Sequence, residues 1–278
     1  MKKNFTFIDL FSGIGGFHMG ASMAGGKCLM ASDISEIANE TYYNNYGIKP
    51  RGDIYNIESC DIPNFDLLCA GFPCQPFSQV GQHGGFKDLR GQLIFEVVRV
   101  LKDKKPKAFV LENVKGLRSI NNGDVFSVIM EELKKVGYNV KSDVLEAKDY
   151  GTPQLRKRLF FVGVRKDIKI DFSFPKPIPL KYTFSQIMCG KTERNYSFTI
   201  RIGGRRSGIN NRYNWDCYIV DGTPRYITPE ECLMLQGFPR SFKLSGNESQ
   251  RYAQVGNSVS VFIINEIVKQ LIKTGILK

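Results

Sequence analysis

Over its first 165 residues the chain alternates short apolar runs with helical patterns, and few folds satisfy that order. The runs are FTFIDLF (5–11), KCLMASD (27–33), FDLLCAG (65–71), KAFVLEN (107–113), NVKSDVLEA (139–147) and LFFVGVR (159–165). Between some of them lie a helix from Phe17, the helix SEIANETYYNNYG closed by Gly47, and helical candidates over 92–104 and 124–136. Short apolar runs fit strands buried on both faces, and intervening helices fit crossovers between parallel strands. The order predicts an α/β fold built on a doubly wound, mostly parallel sheet. No run reaches the roughly 18 apolar residues of a membrane span. The basic start MKKNFTFIDLF is soon broken by Asp9 and glycines, so it reads as a first strand rather than a signal peptide.

From about Phe172 the texture changes. FSFPKPIPL is a proline-spaced linker, and the segment to Arg225 has no strong helical period. That segment carries a net charge of +6, half of the chain's +12. Such a balance favours a polyanionic partner, nucleic acid before an anionic membrane surface. TPEECLMLQGFP (228–239) then reads as a capped helix, with Thr228 as N-cap, Pro229 in the first turn and Glu231 three residues after the cap. VSVFIINEIVKQLIK has an apolar helical stripe that packs back on the sheet. The expected division is a large domain from 1–171 plus 246–278 and a small one from 172–245. Seven cysteines without a C-x-x-C pair, and only two histidines, point to a reducing cytoplasm with no disulfide framework and no metal site.

DLFSGIGGFHMG sets Gly13, Gly15 and Gly16 between a strand and a helix, where backbone can approach a ligand at the carboxyl edge of the sheet. The spacing is not G-x-G-x-x-G, and a tight turn is the alternative. Asp33 ends the second strand, placed to accept from ribose hydroxyls or to cap the next helix. In RGDIYNI, Asp53 stands near the next strand edge, again a cap or a ligand for an exocyclic amine. Three such features at successive strand ends favour an adenosine-type ligand.

In AGFPCQPFSQ (70–79), Cys74 lies between Pro73 and Pro76, just past an apolar run. A thiol at so stiff a point has a fixed direction, whereas Cys69 inside the run fits a buried structural thiol. GFPCQPFS is followed by LENV (111–114), QLRKR (154–158) and QVGNSV (254–259); FIDLFSGIGGF comes first and RYITPEECLMLQGFP next to last. These blocks, in this order, resemble the DNA cytosine-5 methyltransferase family of bacterial restriction–modification type. The resemblance covers nearly all of the chain except about 172–225.

The resemblance implies the S-adenosylmethionine-dependent methyltransferase fold, S-adenosyl-L-methionine as methyl donor, and double-stranded DNA as partner. It implies a cytoplasmic monomer with no membrane partner, serving beside a cognate restriction endonuclease. Carbon 5 of cytosine is a poor nucleophile until a thiolate adds at carbon 6. By resemblance Cys74 is that thiol, Glu112 the acid at the base's N3 side, and Arg156 and Arg158 complete the catalytic set. The donor is expected against Phe11, Gly13, Gly15, Gly16, Asp33, Ile34, Asp53, Ile54, Asn257 and Val259. The flipped base and DNA are expected at Pro73, Gln75, Ser78, Arg90, Asn113, Val114 and Gln154. Gln154, Arg156 and Arg158 alternate, so an extended segment points them the same way. The glycine-rich stretch 81–92 reads as a loop closing over Cys74, with Lys87 and Arg90 meeting phosphate.

In this family the segment between QLRKR and QVGNSV carries target recognition. Here it is short, with Thr199, Arg201, Arg205, Arg206 and Arg212 as candidate contacts to base edges or phosphates. Ile34 departs from the aromatic residue often found beside the ribose acid, which leaves Phe11 to stack on adenine. Two other readings compete: a tRNA cytosine-5 methyltransferase of the same family, and a catalytically silent DNA-binding relative. The intact Cys74, Glu112, Arg156 and Arg158 weigh against the silent relative.

Overall fold

The computed structural model describes residues 5–73, 93–203 and 205–277. Its elements follow the expected alternation. They are β1 (Phe5–Leu10), α1 (Gly16–Met23), β2 (Gly26–Ser32), α2 (Glu36–Tyr46), β3 (Leu67–Ala70), α3 (Leu93–Lys104), β4 (Ala108–Val114), α4 (Asp124–Lys135), β5 (Tyr138–Glu146) and β6 (Lys157–Arg165). Beyond them come α5 (Phe184–Met188), β7 (Cys217–Val220), β8 (Thr223–Tyr226), α6 (Pro229–Gln236), α7 (Glu248–Asn257) and α8 (Val261–Lys273). The α6 capping box forms as read, Thr228 and Glu231 satisfying each other's backbone N–H.

Six strands form one sheet in the order β2-β1-β3-β4-β6-β5. The first four are parallel, while β6 runs antiparallel between β4 and β5. The reversal has a simple cause. Residues 147–156 join β5 to β6 with no crossover helix, and a parallel neighbour needs a longer connection. A second departure concerns Asp53. It stands at no strand edge; RGDIYNI turns instead into a short 3-10 helix over Ile54–Asn56 that Asp53 caps.

Both faces of the sheet are buried. Phe5 and Phe7 of β1, Val110 of β4 and Phe160 of β6 face α1 and α8, packing on Phe17, Ala21, Ile264 and Ile267. Their alternates Ile8, Leu10, Leu111 and Phe161 face α3 and α4. This two-sided burial is why the strands read as continuous apolar runs. A third core joins Trp215, Tyr218, Leu233 and Phe238 to Ile14, Tyr252 and Val261, tying the 184–242 region to the sheet domain.

Residues 197–200 zip onto 153–156 beside the sheet. Ser197 N–H donates to the Pro153 carbonyl at 2.8 Å and Leu155 N–H to the Ser197 carbonyl at 2.9 Å. No helix among the described residues is long and apolar enough to cross a membrane.

Candidate active site

The four parallel strands end at one edge of the sheet, and β6, running the other way, begins there. The strand order reverses between β1 and β3, the kind of point where α/β sheets bind ligands. A cavity of about 830 Å3 opens at this edge.

One part of its lining comes from the turns after β1 and β2. Phe11, Gly13 and Ile14 follow β1, and Asp33 and Ile34 follow β2. Gly13 has φ +51°, and a Cβ built there would meet no protein atom within 4 Å, so it would project into the cavity. The Gly13 N–H donates to Asp33 Oδ2 at 2.8 Å, and Ser35 N–H donates to Asp33 Oδ1 at 2.8 Å. Asp33 thus braces the glycine turn, while Ser35 caps α2. Asp53 accepts from Tyr55 N–H through Oδ1 at 3.0 Å. Ile34 is 75% exposed and gives the cavity an apolar lining with Phe11 and Ile54. Two carboxylates, a bare glycine turn and apolar side chains suit a nucleoside with a short polar tail.

Gly15 and Gly16 serve the fold rather than the cavity lining. Gly15 gives its carbonyl to Tyr46 Oη–H at 2.8 Å. Gly16 lets α1 approach residues 258 and 259, since a Cβ there would lie 2.7 Å from Ser258 Oγ and 2.8 Å from Val259 Cγ1. Val259 is accordingly buried in the core, while Asn257 lines the cavity.

Elsewhere the lining comes from the turn after β3 (Gly71, Phe72 and Pro73), the end of β4 (Glu112, Asn113 and Val114) and the entry to β6 (Arg156 and Arg158). Arg158 Nε lies 3.0 Å from Glu112 Oε1, the two side chains 17% and 13% exposed. Burial raises the Glu112 carboxyl above its ordinary value, and the Arg158 and Arg156 charges hold it down. Asn113 donates to the Phe72 carbonyl at 2.9 Å and accepts from Val114 N–H at 2.8 Å, fixing the turn that leads to Pro73.

Gln154, Arg156 and Arg158 have different destinations. Gln154 is fully buried and does not line the cavity; its amide donates to the Leu235 carbonyl at 2.9 Å and accepts from Ile200 N–H at 3.2 Å. Arg156 donates to the carbonyls of Ile200 at 3.2 Å, Gly256 at 2.9 Å and Ser258 at 2.8 Å. The two side chains therefore clamp both backbone groups of Ile200, and only Arg158 is paired with the carboxylate.

A second cavity of about 390 Å3 is lined by Thr199, Arg201, Asn211, Arg212 and Asn214, with Leu155 among its apolar wall. Thr199 Oγ1 donates to the Leu155 carbonyl. Arg205 and Arg206 lie against Glu248 at 3.5 and 3.8 Å. Cys74, Gln75, Ser78 and Arg90, with the 81–92 stretch, lie outside the described residues.

The cavity also takes in side chains that motif reading passed over. Gln250, Ala253 and Gln254 of α7 line it with Asn257, and Tyr55 joins Asp53 and Ile54. Positions 250, 254 and 257 share one face of a helix, a period that extends the reach of the QVGNSV block backwards. Beneath the glycine turn, His18 Nδ1 lies 2.7 Å from Tyr42 Oη, and buried Asp9 sits in the same region.

A doubly wound sheet with a cavity at its switch point, lined by a bare glycine turn, two carboxylates and a carboxylate–arginine pair, has the architecture of an α/β enzyme with a ligand site at its strand ends. Comparison with known proteins makes this specific. The model of the C-5 cytosine-specific DNA methylase family matches residues 5–203 and 181–273, and the chain belongs to that family. It is 38% identical to the type II methyltransferase M.DsaV of Dactylococcopsis salina over 98% of this chain and 87% of that protein. It is 38% identical to the type II methyltransferase M.NlaX of Neisseria lactamica over 96% of each. The fold matches that of the S. pombe Dnmt2 methyltransferase with a TM-score of 0.78, at 21% identity over 97% of this chain and 98% of that one. The chain is a DNA cytosine-5 methyltransferase, and its methyl donor is S-adenosylmethionine.

Proposed function

We propose that the chain methylates carbon 5 of a cytosine turned out of duplex DNA, with Cys74 as nucleophile, as the modification enzyme of a restriction–modification pair. The Glu112–Arg158 pair carries this reading, because it shares one cavity with Asp33 and Asp53. A pyrimidine and a nucleoside donor therefore fit side by side.

In this reading the Cys74 thiolate adds to carbon 6, and the electron pair moves toward carbon 5 as Glu112 protonates N3. When bound, S-adenosylmethionine supplies an electrophilic methyl group, which carbon 5 takes. The carbon 5 proton then leaves to a base, the carbon–sulfur bond breaks to release Cys74, and N3 returns its proton to Glu112. Arg158 holds the Glu112 carboxyl in place, and its charge stabilises the electron-rich ring. Arg156 acts at one remove, fixing Ile200 and the 256–258 turn. Asp33 and Asp53 hold the donor's ribose and adenine, Gly13 makes room for its tail, and Phe11, Ile34 and Ile54 cover its base.

Residues 172–245 form the target-recognition part, and Thr199, Arg201 and Arg212 around the second cavity are its base and phosphate contacts. The restriction–modification role draws on the type II methyltransferases among the relatives. Incubation with labelled methyl donor and either plasmid DNA or tRNA, followed by base-resolution mapping, tests the reading. Label on one cytosine of a defined duplex sequence is expected; label on tRNA alone overturns it.

A further inference from the structure

The turn from β1 into α1 is a strained part of the cavity wall. Phe11 has φ +53°, a left-handed conformation that a residue with a side chain adopts only at a cost. Gly13 and Gly15 are left-handed too, at φ +51° and +85°. Strain of this kind persists only where the surroundings hold it. Phe11, Gly13 and Ile14 all line the main cavity, so whatever holds the turn also sets the shape of the site.

At its entry the turn is tied to the end of β2: Ser12 N–H donates to the Ser32 carbonyl at 3.0 Å, and Gly13 N–H to Asp33. At its exit the Gly15 carbonyl accepts from Met19 N–H of α1 at 2.9 Å and from Tyr46 Oη–H, at the end of α2, at 2.8 Å. The Tyr46 ring fills the space beside Gly15, where a Cβ would stand 2.4 Å from Tyr46 Cε2. The same ring stacks on His18 of α1, centroids 3.8 Å apart and planes 13° from parallel. Tyr46 thus touches both the turn and the helix that follows it, yet does not itself line the cavity. Tyr42, one helical turn earlier, directs its hydroxyl instead to His18 at 2.7 Å and Cys28 at 3.6 Å, outside the turn.

We infer that Tyr46 is a positioning residue for the methyl donor: its hydroxyl and ring hold the 11–15 turn in the strained form that admits S-adenosylmethionine. The inference rests on the donor placement proposed above. Without the hydroxyl the turn relaxes part of the time into forms that do not fit the donor. Apparent affinity then falls by the fraction of molecules left competent. Once the donor is bound the turn is in place, and the reacting groups are untouched. Tyr46 therefore acts on donor affinity and not on the maximal rate, whereas Tyr42 acts on the fold.

The two tyrosines make the test. Calorimetric affinity for S-adenosylmethionine, urea midpoints, and KM and kcat for methyl transfer to plasmid DNA are measured for wild type, Tyr46→Phe, Tyr42→Phe and Gly13→Ala. Tyr46→Phe, which keeps the ring, is expected to bind the donor at least about threefold more weakly, with kcat at saturating donor within about twofold of wild type. Tyr42→Phe leaves His18 without its partner; it is expected to lower the urea midpoint and to keep donor affinity within about twofold of wild type. A merely structural Tyr46 would behave as Tyr42 does. A loss of affinity in Tyr46→Phe smaller than about threefold, or an equal loss in Tyr42→Phe, overturns the inference. Gly13→Ala, whose methyl enters the cavity, separates the two readings. Unchanged donor affinity in Gly13→Ala overturns the donor placement itself, and the inference falls with it.

Discussion

Arg158 Nε reaches Glu112 Oε1 at 3.0 Å although the two are not register partners: Arg158 faces Val114 and Glu112 faces Phe160. The pair is a diagonal across the antiparallel β4–β6 ladder, a distance only a long side chain spans. Glu112→Gln is expected to lower kcat by about 10²–10⁴-fold, with little change in KM for the donor. Arg158→Ala removes the largest influence that opposes burial, so the Glu112 carboxyl rises further. The protonated acid then persists to higher pH. The alkaline limb of the residual kcat profile should move upward, as a pH series of methyl-transfer rates will show.

Arg156 lines the main cavity and holds backbone carbonyls at its edge. Arg156→Ala leaves two buried carbonyls, those of Ile200 and Gly256, without a donor, and Ser258 with Gln236 alone. A loss of about 3–5 kcal/mol in a urea melt is expected, since each orphaned buried group costs about 1–3 kcal/mol. Arg156→Lys should recover only part of it, because one ammonium cannot reproduce the guanidinium fork.

The β-α alternation and the capping box at Thr228 were legible because periodicity and caps are local signals. The reversal of β6 was not written in any strand; it depends on the short 147–156 link, whose length matters only once β5 and β6 are paired. Gln154, Arg156 and Arg158 illustrate the limit for sites. Their alternation was visible, but whether each meets the cavity depends on Ile200 and on the 256–258 turn, far away in sequence. Asp33 shows the same thing in a milder form. Its place after β2 was legible, and its bracing of Gly13 was not.

Gly13 and Gly16 should fail differently. Gly13→Ala places a methyl in the cavity at φ +51°, with a left-handed backbone cost of about 1–2 kcal/mol. Its main effect is expected in calorimetric affinity for S-adenosylmethionine, weaker by about tenfold or more. Gly16→Ala instead meets the Val259 carbonyl oxygen at 2.8 Å. It should cost about 1–3 kcal/mol in a thermal or urea melt.

His18 makes stability depend on pH in a defined window. Burial lowers its pKa from 6.5 to about 4. The unfolded chain therefore binds this proton at higher pH than the folded one, and the contribution present above pH 6.5 is lost as pH falls toward 4. The loss reaches about 3 kcal/mol. Asp9, whose buried carboxyl is raised, acts in the opposite sense, losing stability as pH rises. Comparing urea midpoints of wild type and His18→Gln from pH 4 to 7 isolates the histidine; the variant's curve should be flatter on the acid side.

Attack of the Cys74 thiol on cytosine is tested most directly by single-turnover methyl transfer to duplex DNA by wild type and Cys74→Ala, with the product mapped at base resolution. Wild type is expected to yield 5-methylcytosine, and Cys74→Ala that still binds the same DNA is expected to yield none above background. Full-rate transfer by Cys74→Ala would rule out Cys74 as the nucleophile.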